Sequence, residues 1–218
     1  MKKILKIAAF TVVGSVLGLS ANAATLLTNG DFEAGNTGFS TDLLFVPSSG
    51  NGPSRYDIDT NPNAWFGSFS SFGDNTTGTG NMMMINGSTT AGDTVWEQTV
   101  SVVANTIYSF DGFIAAIFRG SSSVQLAING SVVETVTGPS ATGVWEAFGT
   151  DWMSGSATSA TVTILQNSTA FGGNDYALDD LSFTAAGTSV APVPLPAGLP
   201  LLASSLLAIG WIRRKARS

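Results

Sequence analysis

Residues 123–136 read SVQLAINGSVVETV. Two alternating runs meet at Asn129-Gly130, the residue pair that accepts positive φ at both centres of a type I′ turn. This is a β-hairpin written in sequence. The stretches on either side follow the same habit. TVWEQTVSV (94–102) places Trp96, Gln98, Val100 and Val102 on one face. TIYSFDGFIAAIF (106–118), GVWEAFGTDWM (143–153), SATVTILQ (159–166) and YALDDLSFT (176–184) continue it, with Gly, Ser, Thr and Asn between them. Met82, Met83 and Met84 read as a buried strand. No long stretch between 24 and 190 joins helical periodicity to good helix formers. The expected fold is all-β: an antiparallel β-sandwich of the jelly-roll kind.

Residues 35–80 break the habit. They are rich in Gly, Ser, Asn and Pro and include GNGPSRYDIDTNPNAWFGSFSSFGDNTTGTGN. The expectation is a long loop region with short strands inside it, where binding usually sits on a rigid sandwich. Trp96, Trp145 and Trp152 fall in alternating strands and read as core. Trp65, Phe66, Phe69 and Phe72 fall in the loop. An exposed indole or phenyl face buries the C–H face of a sugar, so Trp65, Phe69 and the upstream Tyr56 are the candidate ligand-binding residues.

Two ends stand apart from this body. Residues 1–23 carry Lys2, Lys3 and Lys6, then an apolar run from Ile7 to Leu19, then Ala21-Asn22-Ala23. That is the form of a cleaved signal peptide. Residues 191–218 hold Val193-Pro194-Leu195-Pro196-Ala197, an apolar run from Gly198 to Ile212, and a basic knot of Arg213, Arg214, Lys215 and Arg217. Fifteen helical residues reach about 22 Å, short for a hydrocarbon core of about 30 Å, with Trp211 at the interface and the arginines on the cytoplasmic side. The domain division is therefore 1–23, 24–190 and 191–218.

The body holds all fifteen acidic residues against Arg55 and Arg119, a net charge of −13. Such a surface repels nucleic acid and attracts hard cations such as Ca²⁺. The chain has no Cys and no His. Thiol nucleophiles, Ser-His-Asp triads and His or Cys zinc sites are thereby excluded. Catalysis by two carboxylates is not.

The order of pieces resembles a known family. NGDFEAG (29–35) opens the domain, WEQTVSVVANTIYSFDGFIA (96–115) and the hairpin follow, and ALDDLSF (177–183) closes it. This resembles the galactose-binding-like jelly rolls, their carbohydrate-binding modules above all. The resemblance implies that the opening acidic motif and the last strand share a structural Ca²⁺ site, carried here by Glu33 and Asp179 with Asp31 and Asp180 beside them. The tail resembles the PEP-CTERM sorting signal in its VPLPA variant, with Pro194-Leu195-Pro196 where most members have Pro-Glu-Pro. That resemblance implies a Gram-negative exporter, passage through the inner membrane, removal of the tail by an exosortase, and association with surface exopolysaccharide.

The expected function is non-catalytic binding of glycan by an exported, surface-sorted protein. Two alternatives stand beside it: a structural matrix protein without a specific ligand, and a carboxylate-dependent glycan hydrolase or lyase.

Overall fold

The computed structural model describes residues 24–120 and 122–186. The expected signal peptide, the Val193–Ala197 motif, the apolar run and the basic tail lie outside the described residues. Among the described residues, no helix is long and apolar enough to cross a membrane.

The elements follow in order: β1 (Leu44–Phe45), β2 (Arg55–Asp59), α1 (Pro62–Trp65), β3 (Met82–Asn86), β4 (Thr94–Ser101), β5 (Ile107–Ala116), β6 (Ser123–Ile128), β7 (Ser131–Thr137), β8 (Trp145–Met153), β9 (Ser159–Gln166) and β10 (Tyr176–Ala185). They form a six-stranded sheet, β1-β2-β3-β10-β5-β8, and a four-stranded sheet, β4-β9-β6-β7. From β3 onward, consecutive strands switch sheets except at the β6–β7 hairpin. The resulting quartets, β3-β10-β5-β8 and β4-β9-β6-β7, have the strand order of a jelly roll. The expected sandwich is what the structure shows.

The hairpin forms as its turn residues require. Asn129 has φ 51° and Gly130 φ 76°, and Ile128 pairs with Ser131. The main core lies between the sheets. Trp96 of β4, Phe110 and Ile114 of β5, Leu126 of β6, Val162 and Ile164 of β9, and Tyr176, Leu178 and Phe183 of β10 are all buried in it. Trp152 packs on its margin. Alternation on a strand sends the next residue to the other face. Met83 and Ile85 enter the main core, while Met82, Met84 and Ala177 form a second cluster with Trp65 and Phe69. The outer face of the six-stranded sheet is thus partly covered by residues 62–72. Helix α1 carries Pro at its start, and the Asn61 side chain accepts from the Asn63 N–H. It delivers Trp65 to that cluster.

Candidate functional site

The opening motif and the closing strand meet. The Leu26 N–H donates to the Phe183 carbonyl, and the Leu181 N–H donates to the Gly30 carbonyl. Phe32, at φ 57°, fills the core completely buried. Pairing of β10 with β5 is irregular between Asp179 and Ser182, and Asp180 sits at φ 50°. That left-handed residue is tolerated in Asp more readily than in most L residues. It lets both neighbouring carboxylates take partners in residues 74–81.

Asp179 is wholly buried, and its carboxylate accepts from the Asn75 N–H at 2.8 Å and from its own neighbour Asp180 N–H at 2.8 Å. Asp180 accepts from the Asn75 amide at 2.8 Å and the Thr76 hydroxyl at 2.6 Å. Glu33 accepts from the Asn81 N–H at 2.9 Å. Asp31 is exposed and meets only the Glu33 N–H, at 3.4 Å. Asp74, buried and unforeseen in the sequence, accepts from Thr77 and Gly80 N–H groups at 2.8 and 2.7 Å. Glu33 and Asp74 both lie against Gly80.

Burial pushes the Asp179 carboxyl up to about 7, and the Asp180 and Asp74 charges add to the rise against the pull of the Asn75 and Asp180 N–H bonds. Asp74 goes the other way: burial opposes ionisation, but the Thr77 and Gly80 hydrogen bonds together hold its pKa below the ordinary value. Ca²⁺ takes about six to eight oxygen ligands. These carboxylates have the right chemistry for it. Their oxygens are turned to N–H and O–H donors, however. Among the described residues, no three acidic side chains converge closely enough to hold a metal ion.

The expected aromatic platform is corrected. Trp65, Phe69 and Tyr56 are only 4–5% exposed. The Trp65 indole donates to the Val46 carbonyl at 2.7 Å, and its ring packs on Phe69. The Tyr56 hydroxyl donates to Asn36 at 2.8 Å while its ring joins the main core. These rings plug the sandwich. Stacking a sugar on them would require expelling them from apolar neighbours.

A different cleft lies beside them, where the ends of β3 and β5, the approach to β10 and residues 51–53 and 66–69 converge. It has a volume of about 230 Å³. Phe66 and Phe118 are its half-buried walls, both packed on Phe69, and Phe171 stands at the mouth 82% exposed. Gly173, at φ 90°, lies so close to the Arg119 carbonyl that a side chain there would clash, which fixes the path of the loop carrying Phe171. Asn86, Asn174 and Asp175 supply the polar side. Asn86 donates its amide to the Gly50 carbonyl, and Asn174 donates to the Ser88 and Ser168 carbonyls. Their side-chain carbonyls remain as acceptors. Asp175 is 5% exposed and receives only long bonds, from Gly87 N–H at 3.3 Å and Gly173 N–H at 3.4 Å. Burial pushes its pKa up, against the pull of those two N–H groups. The signal for Phe171 was present in TAFGGN (169–174), a lone aromatic in a small, polar loop.

A second, shallower depression of about 470 Å³ opens on the outer face of β5 and β8. Asp111 and Asp151 both line it. The Asp111 carboxylate lies over Gly149, and loss of water there, with the Asp151 charge nearby, pushes its pKa up.

No family model and no curated protein matches the chain. Solved structures that it resembles include one described as "CBM4 structure and function", at 13% identity and TM-score 0.40, covering 73% of this chain and 99% of that one. Another is a Family 16 Carbohydrate Binding Module-2, at 13% identity and TM-score 0.47, with 73% and 99% covered. A third is the CBM22-1 xylan-binding domain from Paenibacillus barcinonensis Xyn10C, at 12% identity and TM-score 0.44, with 76% and 97% covered. At such identities and scores, no ligand or activity passes from them to this chain.

Proposed function

We propose that the jelly roll is a non-catalytic glycan-binding domain of an exported, surface-sorted protein. The observation that carries this is the cleft with Phe171 at its mouth. Burying apolar area on a ring contributes about 25 cal/mol per Å², so a sugar face of some tens of Å² gains on the order of 1–2 kcal/mol. Amide and carboxylate acceptors then select hydroxyls. Affinity electrophoresis of the purified protein through a panel of soluble polysaccharides tests it. Retardation by at least one glycan, reduced in Phe171→Ala, is expected. Unretarded migration throughout would defeat it and favour a structural matrix protein.

Sorting by an exosortase, passage through the inner membrane and final residence at the surface of a Gram-negative cell rest on Val193–Ala197 and the tail that follows. Ca²⁺ at Glu33 and Asp179, with Asp31 and Asp180, is proposed on the −13 charge of the body and on the burial of the Asp179 carboxylate.

One observation favours a second reading. Asp111 and Asp151 share an open face, and Asp111 is biased toward its protonated form, as a general acid would be. A carboxylate-dependent hydrolase would release reducing ends from a glycan and lose that in Asp111→Asn.

A further inference from the structure

The Phe171 cleft has an unusual polarity. Asn174 commits its amide N–H groups to the Ser88 and Ser168 carbonyls and Asn86 commits one of its two to Gly50, which leaves the side-chain carbonyls of both as acceptors. Asp175 adds a carboxylate that is 5% exposed, with two main-chain N–H groups at 3.3 and 3.4 Å as its listeners. A buried carboxylate held this loosely is costly unless a charge or strong donor meets it. Around it stand phenyl faces, and a cation within about 6 Å of a ring centroid is drawn to it. Acceptors, a carboxylate and aromatic walls together describe an ammonium receptor.

The geometry points to a sugar bearing a free, protonated amine as the occupant, its ammonium at Asp175 and its ring against Phe171. This deepens the glycan-binding reading and rests on it. The cleft, about 230 Å³, has room for at least one sugar ring. The charge of the body agrees: −13 concentrates cationic polymer near the surface and repels acidic polymer. Arg55 and Arg119 are the opposing charges, and Arg119 follows the wall residue Phe118 without lining the cleft. The Arg55 guanidinium packs against Gly52 at the rim without lining the cleft. A rim charge acts through water and salt, whereas Asp175 acts from inside. The carboxylate therefore dominates.

Titration calorimetry with the purified protein separates the possibilities. The probes are a glucosamine trimer, its fully N-acetylated counterpart, a neutral glucose trimer and trilysine. The amino sugar is expected to bind about tenfold more tightly than the N-acetylated and neutral trimers. Phe171→Ala, at an exposed position, should weaken all three sugars alike. Asp175→Asn should erase the preference for the amine, so that the amino sugar binds no more tightly than its N-acetylated counterpart. If Asp175→Asn fails to fold, the parent protein at high salt serves instead: an amine preference that survives belongs to the interior carboxylate, and one that vanishes belongs to the screened surface charge and overturns the ammonium site. Equal affinity for all three sugars would overturn the ammonium site and leave glycan binding standing. Trilysine binding as tightly as the amino sugar would overturn the role of the sugar ring. Failure of all three sugars to bind would overturn the glycan-binding reading itself.

Discussion

The Asn75 N–H donates to the Asp179 carboxylate at 2.8 Å across 104 residues of chain. Asp179 belongs to the last strand, next to the central β5, and Asn75 belongs to the loop between α1 and β3. This buried carboxylate, with Asp180 beside it, thus holds a glycine- and threonine-rich loop against the sheet.

That carboxylate sets a pH dependence. The unfolded group titrates near 3.8 and the folded one near 7. Between those values the folded state binds more protons, so stability falls as pH rises. The slope from this group is at most about 1.4 kcal/mol per pH unit. Asp57, Asp111 and Asp175 shift in the same direction, all by burial first. Asp74 opposes them. Urea unfolding is expected to give a higher midpoint at pH 5.5 than at pH 8, with a smaller difference in Asp179→Asn. Greater stability at pH 8 would show that Asp179 is ionised at little cost in the fold.

Calcium would reverse that slope, because a bound cation favours the ionised carboxylate. A ligand that binds only the native state stabilises by about 2.7 kcal/mol at a hundredfold excess over Kd. The expected result is a melting temperature raised by Ca²⁺ at pH 8 and lowered again by chelator, with the response absent in Asp179→Asn. A melting temperature indifferent to millimolar Ca²⁺ leaves the proton as the partner of this carboxylate.

Trp65→Ala is expected to destabilise the domain by about 3–5 kcal/mol, as for other buried aromatic truncations. The indole also donates to the Val46 carbonyl at 2.7 Å, which would keep only the longer bond from the Ser49 N–H at 3.4 Å. Phe171→Ala, at 82% exposure, should stay within about 0.5 kcal/mol of the parent. Thermal melts of the two variants side by side check this. A Trp65→Ala protein as stable as the parent would return Trp65 to the surface.

The contrast between those two rings shows where sequence was readable. The hairpin was legible because its turn is local: Asn129 and Gly130 adopt positive φ with little regard to the rest of the fold. Met82–Met84 was legible because few surfaces expose three consecutive methionines. Trp65, Phe69 and Tyr56 were misread because a loop aromatic has the same sequence pattern whether it covers the sheet or faces solvent. The pairing of opening motif and last strand was legible only through resemblance. The grip of Asp179 and Asp180 on Asn75 and Thr76 was not, since it depends on contacts a hundred residues apart and on a bulge that periodicity does not announce.

Gly130→Val places a β-branched residue at φ 76°. Left-handed backbone costs about 1–2 kcal/mol for an ordinary L residue. The β7 strand joins the sheet only through this hairpin and the β6 ladder, so the expected loss of about that size should come with faster hydrogen exchange along Ser131–Thr137. Unchanged exchange in β7 would mean that the β6 pairing alone holds the strand.

The last prediction concerns processing of the C-terminal tail. Pro194 and Pro196 fix φ and remove two N–H groups, and each also biases the residue before it away from helix. An extended stretch around Leu195 is therefore expected, the form in which proteases take their substrates. The apolar run from Gly198 to Ile212 and the four basic residues after it would hold that stretch close to the membrane surface. If an exosortase acts there, intact-mass measurement of protein recovered from the cell surface should show an N-terminus at Ala24 and a chain that ends near Ala197. Replacing Pro194 and Pro196 by alanine should leave uncut protein in the membrane fraction, because an apolar, alanine-extended helix would run through the cleavage region. Surface material that still carries Arg213 to Ser218 would show that the tail is a plain anchor.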